Sequence, residues 1–266
     1  MAISKIGILG VGVMGEALLA GLIKSGVNPS DISFAEKRAE RASEIIEKYK
    51  VSLSTVEAIA AESEVILLVV KPQDLGNLLD DVGSLIKPST LIISFAAGKT
   101  TAFIEAKIPA GANVLRVMPN TPALIGKGAA AISRGSQVTN EQMDFTKKFL
   151  EATGKVVIVD ESLQDAVTAV SGSGPAYFFA FVEAMIASGR DLGLSEEVAT
   201  ALTIQTIVGA AGMLEESGKS ATTLRENVTS PNGTTFAALQ TFLTGGLEDL
   251  VKKSMRAARD RSQELA

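Results

Sequence analysis

A doubly wound α/β domain followed by an all-helical one is the fold class this sequence predicts, and three observations predict it. First, the stretch from Lys5 to Leu19 reads as a buried strand, a glycine turn and a helix start in immediate succession. Second, strand-like and helical runs alternate from there to Asp160, which is the pattern of a parallel sheet with helices on both faces. Third, strand signals then stop and the rest of the chain is helical, so a second domain begins near Glu161. The expected bounds are residues 1–160 and residues 161–266.

The strands are expected at Lys5 to Leu9, Ile32 to Ala35, Val65 to Val70, Thr90 to Ser94 and Asn113 to Val117, each a short apolar run bounded by polar or glycine residues. Helical spacing appears between them at Met14 to Ser25, Arg38 to Lys50 and Leu75 to Ile86. Two further strands, Gly128 to Ser133 and Lys155 to Val159, bracket a helix from Asn140 to Glu151 with Thr139 or Asn140 as its N-cap, and close the far edge of the sheet. Later helices are expected at Ser162 to Val170, Pro175 to Leu192, Ser195 to Ser217, Ser220 to Asn227, Gly233 to Thr244 and Leu247 to Leu265. Glu196 and Glu197 stand in a first turn, and Gly218 follows a helix end.

The glycine turn carries chemistry as well as structure. Gly10 permits the tight turn, Gly12 lets backbone approach a pyrophosphate, and Gly15 lets the new helix lie against the strand. The helix start, with Val13 and Met14, offers unpaired N–H groups and partial positive charge to phosphates. This is the layout of a Rossmann dinucleotide site. Ligands of such sheets bind beyond the carboxyl ends of the strands, so four further segments are candidates: Glu36, Lys37 and Arg38; Val70, Lys71 and Pro72; Ala96, Ala97 and Gly98; and Met118 to Ala123 with Asn120. Each has a plainer reading as well, respectively a solvated charge run, a strand-ending proline, small-residue packing and a two-proline turn.

Composition narrows the chemistry. A net charge of -5 and scattered Lys-Arg pairs argue against nucleic acid as a partner. Cysteine and histidine are absent, which excludes thiolate and imidazole metal sites and the usual Ser-His-Asp or Cys-His nucleophiles; no metal site is expected. An oxidoreductase of this composition uses Lys, Tyr, Asp or Glu as its acid, or reduces a substrate that needs little help from one. A cyclic imine, once protonated in water, fits the second description. The N-terminal apolar run belongs to the glycine turn and reads as no secretory signal, so a cytoplasmic protein is expected. Ala166 to Ser188 is nearly uncharged, but Gly172, Gly174 and Pro175 interrupt it, and what remains is shorter than the roughly 20 residues a bilayer demands. A buried helix, inside the subunit or between subunits, is expected instead of a membrane span.

Taken together, these segments resemble pyrroline-5-carboxylate reductase over nearly the whole chain. The resemblance rests on the glycine turn, Val69-Val70-Lys71-Pro72, Ala96-Ala97-Gly98, Arg116 to Ala123, Ser171 to Tyr177, and Val228-Thr229-Ser230-Pro231-Asn232-Gly233-Thr234-Thr235. The last two are the more specific, since other Rossmann oxidoreductases share the glycine turn. The resemblance implies reduction of (S)-1-pyrroline-5-carboxylate to L-proline, the last step of proline biosynthesis, by a nicotinamide; Glu36 could bind a ribose 2′-hydroxyl and repel a 2′-phosphate, whereas Lys37 and Arg38 could embrace that phosphate, so use of both NADPH and NADH, with NADPH preferred, is expected. It implies that Thr235 places its hydroxyl on the ring nitrogen, that Ser230, Gly233 and Thr234 hold the carboxylate, that Ser173 and Gly174 border the site, and that Asn227 lies near cofactor and substrate. It also implies interlocked helical domains in a homodimer, with rings of dimers as larger assemblies. The loop would favour a carboxylate without a cationic side chain, because hydroxyls and free N–H groups gather at a helix start; a simple N-cap is the alternative. Two departures are visible: Asn232 stands where the family commonly has glycine, and Val13 differs from the usual residue.

Two rival functions are consistent with the same fold class. A 3-hydroxyacid dehydrogenase would carry a lysine on the helix Pro175 to Leu192, which contains none. A dinucleotide sensor without catalysis would bind cofactor but turn nothing over.

Overall fold

The structure, a computed structural model, describes residues 4–265; the outermost bounds of the expected domains, residues 1 and 266, lie outside it. Eight strands form one sheet in the order β3-β2-β1-β4-β5-β6-β7-β8. They are β1 (Ile6–Leu9), β2 (Ile32–Ala35), β3 (Ser52–Leu53), β4 (Val65–Leu68), β5 (Leu91–Ser94), β6 (Asn113–Met118), β7 (Gly128–Arg134) and β8 (Gly154–Ile158). The central strands β1, β4 and β5 are buried on both faces, which is why they read as continuous apolar runs. All neighbours pair in parallel except β6 and β7. That reversal corrects the expectation of a wholly parallel sheet. Its cause is the link between Met118 and Gly128, too short for a crossover, whereas α6 (Asn140–Glu151) returns the chain to a parallel β8.

Helices α1 (Val13–Lys24), α2 (Ala39–Tyr49), α3 (Val56–Glu62), α4 (Pro72–Val82) and α5 (Thr101–Glu105) lie between the earlier strands. The sequence reading lacked β3, α3 and α5, which are too short to show a period. It also began α4 three residues late. Pro72 is the first residue of that helix and Lys71 its N-cap, so the proline opens a helix instead of merely ending a strand. α6 begins as expected on Thr139, with Gln142 completing a capping box.

After β8 the chain runs through a short 3₁₀ turn, α7 (Gln164–Val167), a π-helical turn Thr168–Gly172 and α8 (Gly174–Asp191). The interruption expected at Gly172, Gly174 and Pro175 is therefore corrected from a tight turn to a helical path, with Ser173 N–H bonded to Thr168 O at 2.8 Å. The remaining helices are α9 (Glu196–Glu216), α10 (Ala221–Asn227), α11 (Thr234–Thr244) and α12 (Leu247–Glu264). Two compact units emerge, Met1–Pro175 with Ala257–Ala266, and Ala176–Arg256. The first unit thus holds more than residues 1–160.

One cation explains this boundary. Arg116, in the middle of β6, is 4 % exposed. Its guanidinium lies 3.6 Å from Glu161 and 3.4 Å from Asp165. Glu161 accepts 2.7 Å bonds from the N–H and hydroxyl of Thr101, and Asp165 accepts one of 2.8 Å from Ser262 on α12. The segment after residue 160 and the end of α12 are thereby tied to the sheet. A second cluster ties α2 to α1: Glu16 accepts bonds from Arg41, from Lys48 at 2.8 Å and from Tyr49 at 2.9 Å. Burial alone raises the Glu16 carboxyl, but the bonds from Lys48, Arg41 and Tyr49 outweigh it and bring its pKa down to about 2.

In the second unit much apolar surface is open: Phe178 and Phe179 are each 62 % exposed, and Leu202, Val208 and Leu243 are exposed as well. Two helical stretches, Glu161–Asp191 and Glu196–Glu216, are long and apolar enough to cross a membrane by length and composition, including one beyond the segment singled out in the sequence.

Both charge clusters make stability predictions. Arg116→Ala leaves two carboxylates without their cation and should cost about 3 kcal/mol, while Asp165→Asn, which keeps Glu161 as the counter-charge of Arg116, should cost about 1 kcal/mol. Urea unfolding at one fixed protein concentration measures both. Because the Glu16 pKa is depressed on folding, its contribution is present above its unfolded value and is lost as pH falls toward about 2. The gap in unfolding midpoint between wild type and Glu16→Gln should therefore be widest above about pH 5 and narrow steadily below it.

Candidate active site

The parallel register aligns Leu9, Ala35, Leu68 and Ser94 at one edge of the sheet, so the segments following β1, β2, β4 and β5 emerge together there. Gly10 has φ +98, and a Cβ on it would stand 2.9 Å from Val69 O; both conformation and space demand glycine. A Cβ on Gly15 would lie 2.1 Å from Gly10 O, so its absence lets α1 approach β1 closely. At Gly12 the situation is different. A Cβ there would meet nothing within 4 Å, and φ is an ordinary -63. The fold itself gives no steric reason for glycine at this position, and the open space lies at the N-cap of α1, where no side chain caps the free N–H groups. Val13 is exposed and Met14 half-buried beside it.

Glu36, Lys37 and Arg38 follow β2 at the same edge. Glu36 accepts from the backbone N–H of Arg38 at 3.0 Å and from its Nε at 3.1 Å. Burial raises the Glu36 carboxyl, yet the side-chain and backbone bonds and the charge of Arg38, with the N–H of Val11, hold it below its ordinary value. Both Nη groups of Arg38 and the ammonium of Lys37 have no partner among the described residues. Val70 and Pro72 are half-buried and Lys71 exposed, all at the start of α4. Ala96 is buried and Ala97 half-buried after β5, and Gly98, at φ +76, makes room for Ser262 and Leu265.

Asn120, a candidate from the two-proline segment, bonds its amide within the protein. It is 8 % exposed; its Nδ2 donates to Ser171 O at 3.0 Å and its Oδ1 accepts from Ala129 N–H at 2.8 Å. Its amide holds the π-helical turn against β7. A Cβ on Gly172 would stand 2.4 Å from Met118 Cε, so that turn packs tightly on the end of β6. Ser173 is half-buried and Gly174 buried just beyond it.

In the second unit, Asn227 is the exposed last residue of α10, and the loop that follows enters α11. Asn232 has φ +57, the left-handed conformation expected of a residue replacing glycine. Gly233 is the N-cap of α11, with its N–H on Ser230 O at 3.1 Å; a Cβ there would stand 2.4 Å from Ser230 Oγ. The simple capping alternative does not hold. α11 has no side-chain cap bond, and the hydroxyls of Ser230, Thr234 and Thr235 have no hydrogen-bond partner among the described residues. Three hydroxyls and the first N–H groups of an eleven-residue helix are gathered and unspent.

Sequence reasoning missed the clusters around Arg116 and Glu16. A charge inside the apolar run Asn113 to Met118 was the only signal for the first, and nothing local marks the second. Two clefts, of about 480 Å³ beside Arg134 and Asp160 and about 260 Å³ beside Asn28 and Phe149, contain none of the predicted site residues.

Comparison with known proteins assigns a family to each part of the chain. Residues 161–265 match the family described as pyrroline-5-carboxylate reductase dimerisation, and residues 5–98 match NADP oxidoreductase, coenzyme F420-dependent. The chain is 41 % identical over 269 residues to a pyrroline-5-carboxylate reductase of Pseudomonas aeruginosa, covering 100 % of this chain and 98 % of that one. It is 37 % identical to that of Mycobacterium leprae, over 99 % and 97 % of the two chains. The solved pyrroline-5-carboxylate reductase of Coxiella burnetii superposes with a TM-score of 0.89 at 34 % identity, covering 100 % of this chain and 99 % of that one. The Plasmodium falciparum pyrroline carboxylate reductase, solved with NADP bound, gives 0.89 at 26 %, covering 99 % of each. A prephenate dehydrogenase of Aquifex aeolicus, at 14 % and 0.57, shares the fold alone. The chain belongs to the pyrroline-5-carboxylate reductase family.

Proposed function

We propose that the loop Ser230 to Thr235 holds the substrate, and the glycine turn the nucleotide, in the NAD(P)H-dependent reduction of (S)-1-pyrroline-5-carboxylate to L-proline. Family membership makes the chain an NAD(P)H-dependent oxidoreductase of proline biosynthesis that self-associates through its helical region. The single observation that carries the site reading is the set of unspent hydroxyls and N–H groups at the start of α11. They suit an anion: Ser230 and the free backbone N–H groups that follow the Gly233 N-cap, beginning with Thr234, bind the carboxylate, and Thr235 Oγ1 reaches the ring nitrogen. When bound, the reduced nicotinamide supplies hydride to the imine carbon. The substrate nitrogen is protonated in water beforehand, so the C=N bond becomes a secondary amine and no histidine is required. Thr235 orients the ring, while Ser173, Gly174 and Asn227 border it.

The active assembly is at least a homodimer, with rings of dimers as the larger form. The exposed Phe178, Phe179 and Leu202 support this reading, since apolar surface of that extent calls for a protein partner. We read α8 and α9 as parts of such an interface, the protein as soluble and cytoplasmic, and neither membranes nor nucleic acids as its partners.

NADPH is the preferred cofactor in this reading. Arg38 uses only Nε and its backbone N–H on Glu36, neutralising that carboxylate while leaving both Nη groups for a 2′-phosphate, with Lys37 beside it.

Two measurements follow. The purified protein should oxidise NAD(P)H with pyrroline-5-carboxylate, and Thr235→Ala should lower kcat by about ten- to a hundredfold with cofactor affinity unchanged, as expected for loss of a hydrogen bond to a charged group. Turnover of a 3-hydroxyacid without the imine would overturn the reaction, and an undiminished rate in the mutant would reduce Thr235 to a helix residue. For the cofactor, Lys37→Ala/Arg38→Ala should lower kcat/KM selectively with NADPH; equal losses with NADH, or a wild-type preference for NADH, would mean that Glu36 governs the pocket.

A further inference from the structure

We infer that Arg41 is a positioning residue for cofactor binding: its guanidinium grips the carbonyl of Val11 and the carboxylate of Glu16 together, and so orients the backbone N–H groups at the start of α1. The inference rests on the reading that the glycine turn holds the nucleotide.

Arg41 lies in the first turn of α2, with its side chain only 20 % exposed. Nε donates to Val11 O at 3.1 Å, Nη2 to Glu16, and Nη1 to Glu44 at 3.0 Å. One planar fork therefore spans the turn, α1 and α2 at once. A lysine ammonium could serve one of these acceptors but has no fixed geometry with which to join them.

The position of Val11 gives the contact its importance. It stands between Gly10 and Gly12, the two residues whose backbone is least restrained by side chains. The Val11 side chain is fully buried and fixes where the turn sits. It does not fix the tilt of the Val11–Gly12 peptide, whose carbonyl oxygen Arg41 holds. Rotation of that peptide swings the Gly12 N–H, and Gly12 is the N-cap of α1.

Charge supplies the second part of the argument. Glu16 stands one turn inside the helix that faces the pyrophosphate, where a bare carboxylate would repel a bound anion. Arg41, with Lys48, cancels that charge. Loss of Arg41 thus disturbs both the direction of the donors and the sign of the field, but touches neither the imine nor the loop before α11.

The expected signature is a split between cofactor affinity and chemistry. In the full-length protein, Arg41→Ala should raise the Kd for NADPH, read by nucleotide fluorescence, and the NADPH KM by roughly tenfold. The kcat at saturating NADPH should stay within about twofold of wild type. Arg41→Lys, which keeps the charge but not the fork, should fall between the two. An unchanged Kd in Arg41→Ala, or a fall in kcat with no change in Kd, overturns the proposal. Should Arg41→Ala fail to fold, Arg41→Lys decides instead, and wild-type affinity in that variant overturns it. Gly12→Val separates the underlying reading: it should abolish NADPH binding, and if it binds NADPH as wild type does, the turn is not the cofactor site at all.

Discussion

A buried guanidinium needs counter-charges and hydrogen-bond acceptors around it, and meeting that need at Arg116 organises the first unit. The register places Ser94 and Ser133 on either side of Arg116 across β5, β6 and β7, a polar row through an otherwise apolar sheet. Over this row lies the segment carrying Glu161 and Asp165, the two counter-charges. Gln164, between them, donates to Ser133 Oγ at 2.7 Å. Desolvation makes each of these groups costly unless all are present, so the pairing acts less as a source of net stability than as a specification of where the helical path must start. From that start the chain climbs along the sheet, bonded to Asn120 at Ser171, and leaves it at Pro175.

The chemistry is distributed according to what each backbone element offers. At the sheet edge, Gly10 and Gly15 are required by the protein's own packing, whereas Gly12 is not; the open space beside it is what an approaching phosphate needs. At the start of α11 the same resource, unpaired N–H groups at a helix N-terminus, is combined with hydroxyls and no cation. In the proposed function both helix starts meet anions through backbone N–H and hydroxyl groups. This suits a substrate whose reactive carbon is already electrophilic, because the protein has only to place it.

The apolar exterior of the second unit has a related logic. α8 and α9 bury little of their surface within one chain, and a helix apolar on all sides is stable only where something covers it. Residues 161–265 match a dimerisation family, so the chain self-associates, and in the proposed function a second copy covers these helices. Self-association is thus part of what makes these helices tenable as sequences, and the charged α12, whose end returns to the first unit, closes the helical series.

By itself the sequence determined the central strands, the long helices and the glycine turn, because these depend on neighbours within a few residues. Alternating and 3.6-residue periods, caps such as Thr139 and Ser195, and the left-handed Asn232 are local facts. The hydroxyl-rich loop before α11 was legible too, since its hydroxyls and its helix start are adjacent in the chain. What only the tertiary structure decided involves partners far apart in sequence. The Arg116 cluster draws on residues 101, 161, 165 and 262, and the Glu16 cluster on residues 41, 48 and 49. The reversal of β7 and the helical course of Ser171 to Ser173 were decided the same way, the first by the length of a connection and the second by packing of Gly172 against Met118. Propensity is a short-range quantity, whereas a buried charge is satisfied by whatever the fold brings beside it, and no stretch of sequence records which residue that will be.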